Sequence, residues 1–411
     1  MLEKNKKIGG MEMLVDLLFI AFFSASYILP SFSFNFMIPM ALALAYCAYI
    51  GIGDRRIGAH IVLCLLMVLL LALMYSILTD TKTISSNVDN IELKQYLSKA
   101  NQYLMMFFPM LLSHRIITRY PRKAKLWILV VAGVIFAYVF ASTLSLLIEE
   151  QNAVRHWDDF SGLAEQDIGT YDFVYAVPII ICTLAVCNIK FNVVGKILNV
   201  VAIVLCFIFL INAEYTLALL IAMIGLILVA YTRGKTTAYK VMFVLIGAIG
   251  LFFVPLLLKL MYTYLPEGDI SLRIREIYNF LVLGDVEGYN LSSRLSLYGR
   301  SIEAFFNSPI FGNRRLDFDG HGTFLTIPAD TGIMGILFMG GLLFSTRRYV
   351  KAILGEHNRQ FMPIFGCFVL MGTVNPVHAT DALSFSMWFV APLVIDYFFN
   401  KEESDNAETP C

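Results

Sequence analysis

The sequence predicts an all-α, polytopic membrane protein with about twelve transmembrane helices, and three observations predict it. Of 411 residues, 58% are apolar and only 15% are charged, where a soluble domain carries about 25% charged residues. The apolar residues gather into twelve stretches close to the length a helix needs to cross a bilayer, about 20 residues. The basic residues collect in alternate connectors, as the positive-inside rule requires. Disordered, collagenous and disulfide-scaffold readings fail on the same composition. Lys plus Arg and Asp plus Glu are both 31, so the charge balance gives no sign of a nucleic-acid partner.

In order, the expected spans are 13–29, 32–50, 57–78, 100–113, 126–148, 172–188, 194–211, 214–231, 239–258, 323–345, 361–377 and 382–399. The first reads as a span and not a signal peptide, because no small-residue cleavage site follows Ser24 to Pro30. Asn101, Gln102 and Pro109 interrupt the fourth, and Lys259 closes the ninth. With the N-terminus cytoplasmic, the cytoplasmic connectors hold Lys4, Lys6 and Lys7, then Arg55 and Arg56, then Arg115 to Lys125. They continue with Lys190 and Lys196, Arg233 to Lys240, Arg347 to Arg359 and Lys401. Both termini are therefore expected in the cytoplasm. Cys47, Cys64, Cys182, Cys187, Cys206 and Cys367 lie within spans and Cys411 ends the chain. That leaves no disulfide framework and no Cys/His metal spacing. The tail from Lys401 to Cys411 reads as a disordered end.

The opposite face holds the segments 79–99, 149–171 and 259–322, and only the last is long enough for a small fold of its own. The chain is thus expected to be a single transmembrane domain, 1–411, containing a helical extracytoplasmic loop, 259–322, between the ninth and tenth spans. Ser271 is expected to cap a helix carrying Ile274, Ile277, Tyr278 and Leu281, with a break from Gly284 to Tyr289. Ser292 or Ser293 then caps a second helix striped by Leu295, Tyr298, Ile302 and Phe305, which Asn307 to Gly312 stops. Both helices are expected at the membrane surface over the mouth of a cavity. The cytoplasmic connectors are too short for a nucleotide-binding domain and carry no Walker or dinucleotide motif. Chemistry then falls outside or within the bilayer, where ATP and sugar nucleotides are absent, so a substrate must arrive already activated on a lipid.

Two stretches carry a resemblance to a known family. Residues 293–312, SRLSLYGRSIEAFFNSPIFG, resemble the arginine-containing helix ending in P-x-x-G of bacterial O-antigen and capsule polymerases and their relatives, the O-antigen ligases. Residues 321–335, HGTFLTIPADTGIMG, resemble that family's His-x-x-aromatic-Leu segment followed by acidic-x-G-x-x-G at the start of the next span. Gly322 stands where many relatives have an amide or aromatic residue, Asp330 where Glu is common, and Tyr298 where Trp is usual. The resemblance implies a metal-independent, inverting-type glycosyltransferase in the cytoplasmic membrane. It would join a glycan from polyprenyl diphosphate to an acceptor sugar hydroxyl on the outer face. It implies no cofactor. The implied partners are the polyprenyl-diphosphate-linked oligosaccharide, membrane lipid, a chain-length regulator and a flippase, and no nucleic acid.

That chemistry needs cations for the leaving diphosphate, where the planar arginine fork suits phosphate oxygens, and a base for the acceptor hydroxyl. His321, just before a span, is the candidate base, or else an interfacial histidine; His156 and His378 are in reserve. Arg294 is expected to begin the second loop helix, an unfavourable place for a cation, which points to ligand contact. Arg300 has Glu303 at i+3, so a surface pair explains it as well. Arg314 and Arg315 suit either the diphosphate or lipid headgroups. Arg155 fits an arginine that relatives place before the sixth span, or a salt bridge within its acidic loop. Asp330 holds an arginine of the site or closes a helix contact, while Asp16 and Asp396 are expected to be structural. Asp317, Asp319 and His321 read as a solvated turn before a metal site.

The ligase differs from the polymerase in its acceptor, which the sequence leaves open. A twelve-span transporter or polysaccharide flippase is the rival of another class. Its best-known layout puts the long loop between spans six and seven on the cytoplasmic side, where this chain has only Asn188 to Gly195.

Overall fold

The computed structural model describes residues 10–33, 45, 46, 48, 49, 106, 108–151, 153–156, 160–234, 236–264, 269–284, 289–312, 322–375, 377 and 381–400. These residues are helical throughout, with no strand among them. Six described helices are long and apolar enough to cross a membrane, and the bent pair Thr323–Leu337 and Met339–Val374 makes a seventh. This is a membrane-spanning protein. The expected spans 32–50, 57–78 and 100–113 lie wholly or largely outside the described residues; each of the others coincides with a described helix.

The helices are α1 (Gly10–Ile28), α2 (Arg122–Glu149), α3 (Tyr171–Cys187), α4 (Val193–Asn212), α5 (Thr216–Arg233), α6 (Thr237–Tyr264), α7 (Asp269–Tyr278), α8 (Tyr289–Asn307), α9 (Thr323–Leu354), α10 (Asn358–Val374), α11 (Asp381–Phe385) and α12 (Ala391–Phe399). A π-helical turn, Ser386–Val390, joins the last two into one span. Consecutive spans alternate in direction, so one end of the bundle gathers Arg115, Lys125, Lys190, Arg233, Arg347 and Arg359. Cross-links between helices fix that end. Lys125 Nζ sits 2.7 Å from Asp396, Arg359 donates to the Gly234 carbonyl at 2.6 Å, and Arg233 donates to the Ala185 carbonyl. We call this the basic end and its opposite the far end.

Burial sorts the helices into centre and rim. α3 is buried nearly all round, from Phe173 to Cys187, and the α11–α12 span packs beside it with Trp388 against Phe368, ring centroids 5.2 Å apart. On the rim, α4 exposes Val193, Ile197 and Leu198, and α2 exposes Trp127 and Val134. Exposed apolar surface of this density is costly in water and costs nothing against acyl chains. Where α3, α5 and α10 cross, the thiols of Cys182 and Cys367 lie 3.5 Å apart. A Cβ on Gly225 would fall 2.2 Å from Cys182 Sγ and 2.7 Å from Cys367 Sγ, so only a hydrogen fits there.

The long loop differs from expectation in three places. α7 begins at Asp269, two residues before Ser271, whose hydroxyl instead donates to the Tyr262 carbonyl at the end of α6, 3.4 Å. α8 begins at Tyr289, before Ser292 and Ser293. Arg294 is therefore well inside the helix and not at its first turn, and the argument from an unfavourable helix dipole does not apply to it. α8 also does not lie across the end of the bundle. Tyr298 Oη donates to the Val374 carbonyl at 3.2 Å, level with the start of α9, where Thr323 N donates to the Asn375 carbonyl at 3.1 Å. Further along, Ile333 N of α9 donates to the Pro309 carbonyl at 2.7 Å. α8 and the first part of α9 thus run side by side in the same direction. Ser301 and Ala304 of α8 are buried, while Leu295, Ile302 and Phe306 of the apolar stripe are exposed.

Candidate functional site

The far end brings together the two segments that carry the family resemblance. The turn after α8, Pro309 to Gly312, seats on the first part of α9 at a point where Gly332 leaves the helix with φ +64° and ψ −151°. A Cβ on Gly312 would fall 2.2 Å from the Asp330 carbonyl carbon, and one on Gly332 would fall 2.5 Å from that of Ile310. Both glycines have positive φ, a conformation that costs other residues. The two motifs form one joint, and the glycines in each are there because the other backbone leaves no room.

Five segments converge at this end. α8 presents Arg294, half-buried, within electrostatic reach of Tyr171 at the start of α3. Tyr171 packs on Tyr175 with ring centroids 4.7 Å apart and on Tyr215 at 6.1 Å, and Tyr175 meets Tyr215 at 5.7 Å. Asp172, next to Tyr171, and Asp381, at the start of α11, are half-buried and close enough for the Asp381 charge to act on Asp172. Gly322, whose Cβ would fall 2.3 Å from the Thr373 carbonyl oxygen, docks on the end of α10. Asn375 follows there, 3% exposed, accepting with its carbonyl from Thr323 N and from Thr323 Oγ1 at 3.3 Å. The two described non-glycine residues with left-handed backbone, Asp167 (φ 53°) and Glu214 (φ 54°), both belong to far-end turns.

The expected site residues distribute unevenly. Arg294 reaches this cluster. Arg300 is exposed on α8 and makes no ion pair with Glu303 among the described residues. Asp330 is buried in α9 beside the Gly312 turn, the helix-contact position. Arg155 and His156 fall in the short helix Ala153–His156, and their side chains lie outside what is described. His321, Arg314, Arg315 and His378 lie outside the described residues. Among the described residues no group of three His, Cys, Asp or Glu could hold a metal ion. Sequence reasoning passed over Tyr171, Asp172, Tyr215, Asn375 and Asp381. Two signals were available: acidic residues at the first position or two of apolar helices, and an Asn-Pro step ending a span. No family model and no curated protein matches the chain.

Proposed function

We propose that this protein polymerises polyprenyl-diphosphate-linked oligosaccharide repeat units into O-antigen or capsular polysaccharide on the outer face of the cytoplasmic membrane. In this reading twelve spans cross that membrane, the basic end is cytoplasmic with both termini, and the far end is the reaction face. The observation that carries it is the joint between the P-x-x-G turn and the D-x-G break. It sets the arginine helix alongside the span that His321 precedes, which explains why the two motifs recur in order. Arg294 binds the diphosphate oxygens, with Arg155, Arg300, Arg314 and Arg315 as further cationic contacts on the same face. His321 takes the acceptor hydroxyl proton as the glycosidic bond forms and the lipid diphosphate leaves. Asp330 holds the joint. The diphosphate leaves with its own charge, so stabilising that charge matters more than protonating it.

Purified protein incubated with lipid-linked repeat units extracted from its native membrane should yield a ladder of polymer on a glycan gel. A silent wild type in a folded, monodisperse preparation would overturn the reading. Within it, His321→Ala should lower the rate about 10²–10⁴-fold while leaving expression and monodispersity unchanged. Arg294→Lys keeps the charge but loses the fork, and should fall well below wild type.

A further inference from the structure

The seam between α8 and α9 holds polar side chains that the fold leaves unmatched. Asn375, Ser301 and Thr326 are 3%, 2% and 7% exposed, and Asn375 Nδ2, Ser301 Oγ and Thr326 Oγ1 have no hydrogen-bond partner. Three other buried helical threonines turn the hydroxyl back onto the carbonyl four residues earlier. Thr143 does so to Val139 at 2.7 Å, Thr183 to Ile179 at 2.8 Å and Thr331 to Ile327 at 2.6 Å. Thr326 and Ser301 do not, though the same option is open to them.

These atoms occupy one place. Thr323 is bound to Asn375 through its backbone N–H, and Thr326 is one helical turn further along α9. Tyr298 is bound to Val374, and Ser301 is one turn further along α8. Because the helices run side by side to the Pro309–Ile333 bond, Ser301 and Thr326 share a level about 4.5 Å below the Asn375 crossing. Pro328 has no N–H to offer the Phe324 carbonyl, which frees a further acceptor in the same two turns. The set is an amide donor and two hydroxyls, with no charge. It suits the hydroxyls of a sugar ring and not a phosphate, whereas Arg294, one turn before Tyr298, is the group suited to phosphate.

We propose that this seam is the acceptor-sugar subsite, in which Asn375, Ser301 and Thr326 bind ring hydroxyls of the incoming glycan while Arg294 holds the donor diphosphate above them. The proposal rests on the polymerase reading and assigns the second substrate a place within it. The three side chains act as binding residues and move no proton.

Ser301→Ala, Thr326→Val and Asn375→Leu remove the polar atoms at nearly constant volume. In the full-length chain in detergent, each should raise KM for the lipid-linked acceptor up to about 10-fold, with kcat little changed. Melting temperature should hold or rise, because an unmatched buried polar atom has been removed. Thr326→Ser should restore KM. Unchanged KM in all three variants with a normal ladder means that the seam holds structural water only, and overturns the proposal. If wild type makes no ladder, the polymerase reading fails by itself, and the subsite is judged on binding of methyl glycosides of hexoses and N-acetylhexosamines. Saturable thermal protection by these probes, lost in the Ser301→Ala, Thr326→Val pair, sustains a sugar subsite. No protection of wild type removes it.

Discussion

The two ends of the helix bundle solve the same problem in opposite ways. At the basic end every buried carboxylate described has a cation. Asp16, fully buried, accepts from Arg115 Nε at 2.7 Å, from Tyr120 Oη at 2.7 Å and from Tyr46 Oη at 3.0 Å. Glu12 takes the other side of the Arg115 guanidinium at 2.7 Å and also Arg119 at 3.2 Å. Asp396 takes Lys125 Nζ at 2.7 Å and the Asn400 amide at 2.6 Å. At the far end Asp172 faces another carboxylate, and Asn375, Ser301 and Thr326 keep unmatched polar atoms. An unmatched buried polar atom costs about 1–3 kcal/mol, so its persistence calls for a reason other than stability. The basic end holds the helices together. The far end is arranged for something that binds there.

The contrast can be broken by mutation, and the effects rank. The largest belongs to Asp16→Ala or Arg115→Ala, which strands a buried charge and should cost about 3–5 kcal/mol. Yield and melting temperature in detergent read it, and an unaffected melting curve would mean that the cluster is not a staple. Gly332→Ala comes next: a Cβ at φ +64° that meets the Ile310 carbonyl should cost at least about 1–3 kcal/mol from backbone strain alone. It should also loosen α8 from α9, measurable as faster proteolysis within 289–321. Replacing both Lys125 and Asp396 by Met and Leu should be much milder than Lys125→Met alone, since the double change strands neither charge. The smallest effect belongs to Asp172→Asn. It relieves like-charge repulsion with Asp381 and should raise stability by at most about 1 kcal/mol. A loss of stability there would mean that a cation pairs the two carboxylates, and would erase the difference between the ends.

The spans were readable because apolar runs of 17 or more residues have few alternatives to a membrane helix, and Asp16 and Asp396 were readable as structural because an acid in such a run needs a partner. The placement of α8 was not. The stripe of Leu295, Tyr298, Ile302 and Phe305 recurs with helical period whether it faces the bundle or acyl chains, and periodicity carries no information about which. Ser301 and Thr326 are small, uncharged and unremarkable in sequence, and their isolation exists only once α8 lies beside α9. Arg294 was picked out for a helix-start position it does not occupy; its approach to Tyr171 is a fact of packing between segments more than a hundred residues apart.

Gly225 fixes how such a bundle can move. With the thiols of Cys182 and Cys367 closing on a residue that has no side chain, α3, α5 and α10 meet at a fulcrum. Sliding any one of the three along its axis drives sulfur into the Gly225 backbone, whereas rocking about that point leaves the contact intact. Admission of a bulky chain at one end of these helices is thereby geared to a small counter-rotation at the other, where the Arg233 and Arg359 cross-links between them act as the stops.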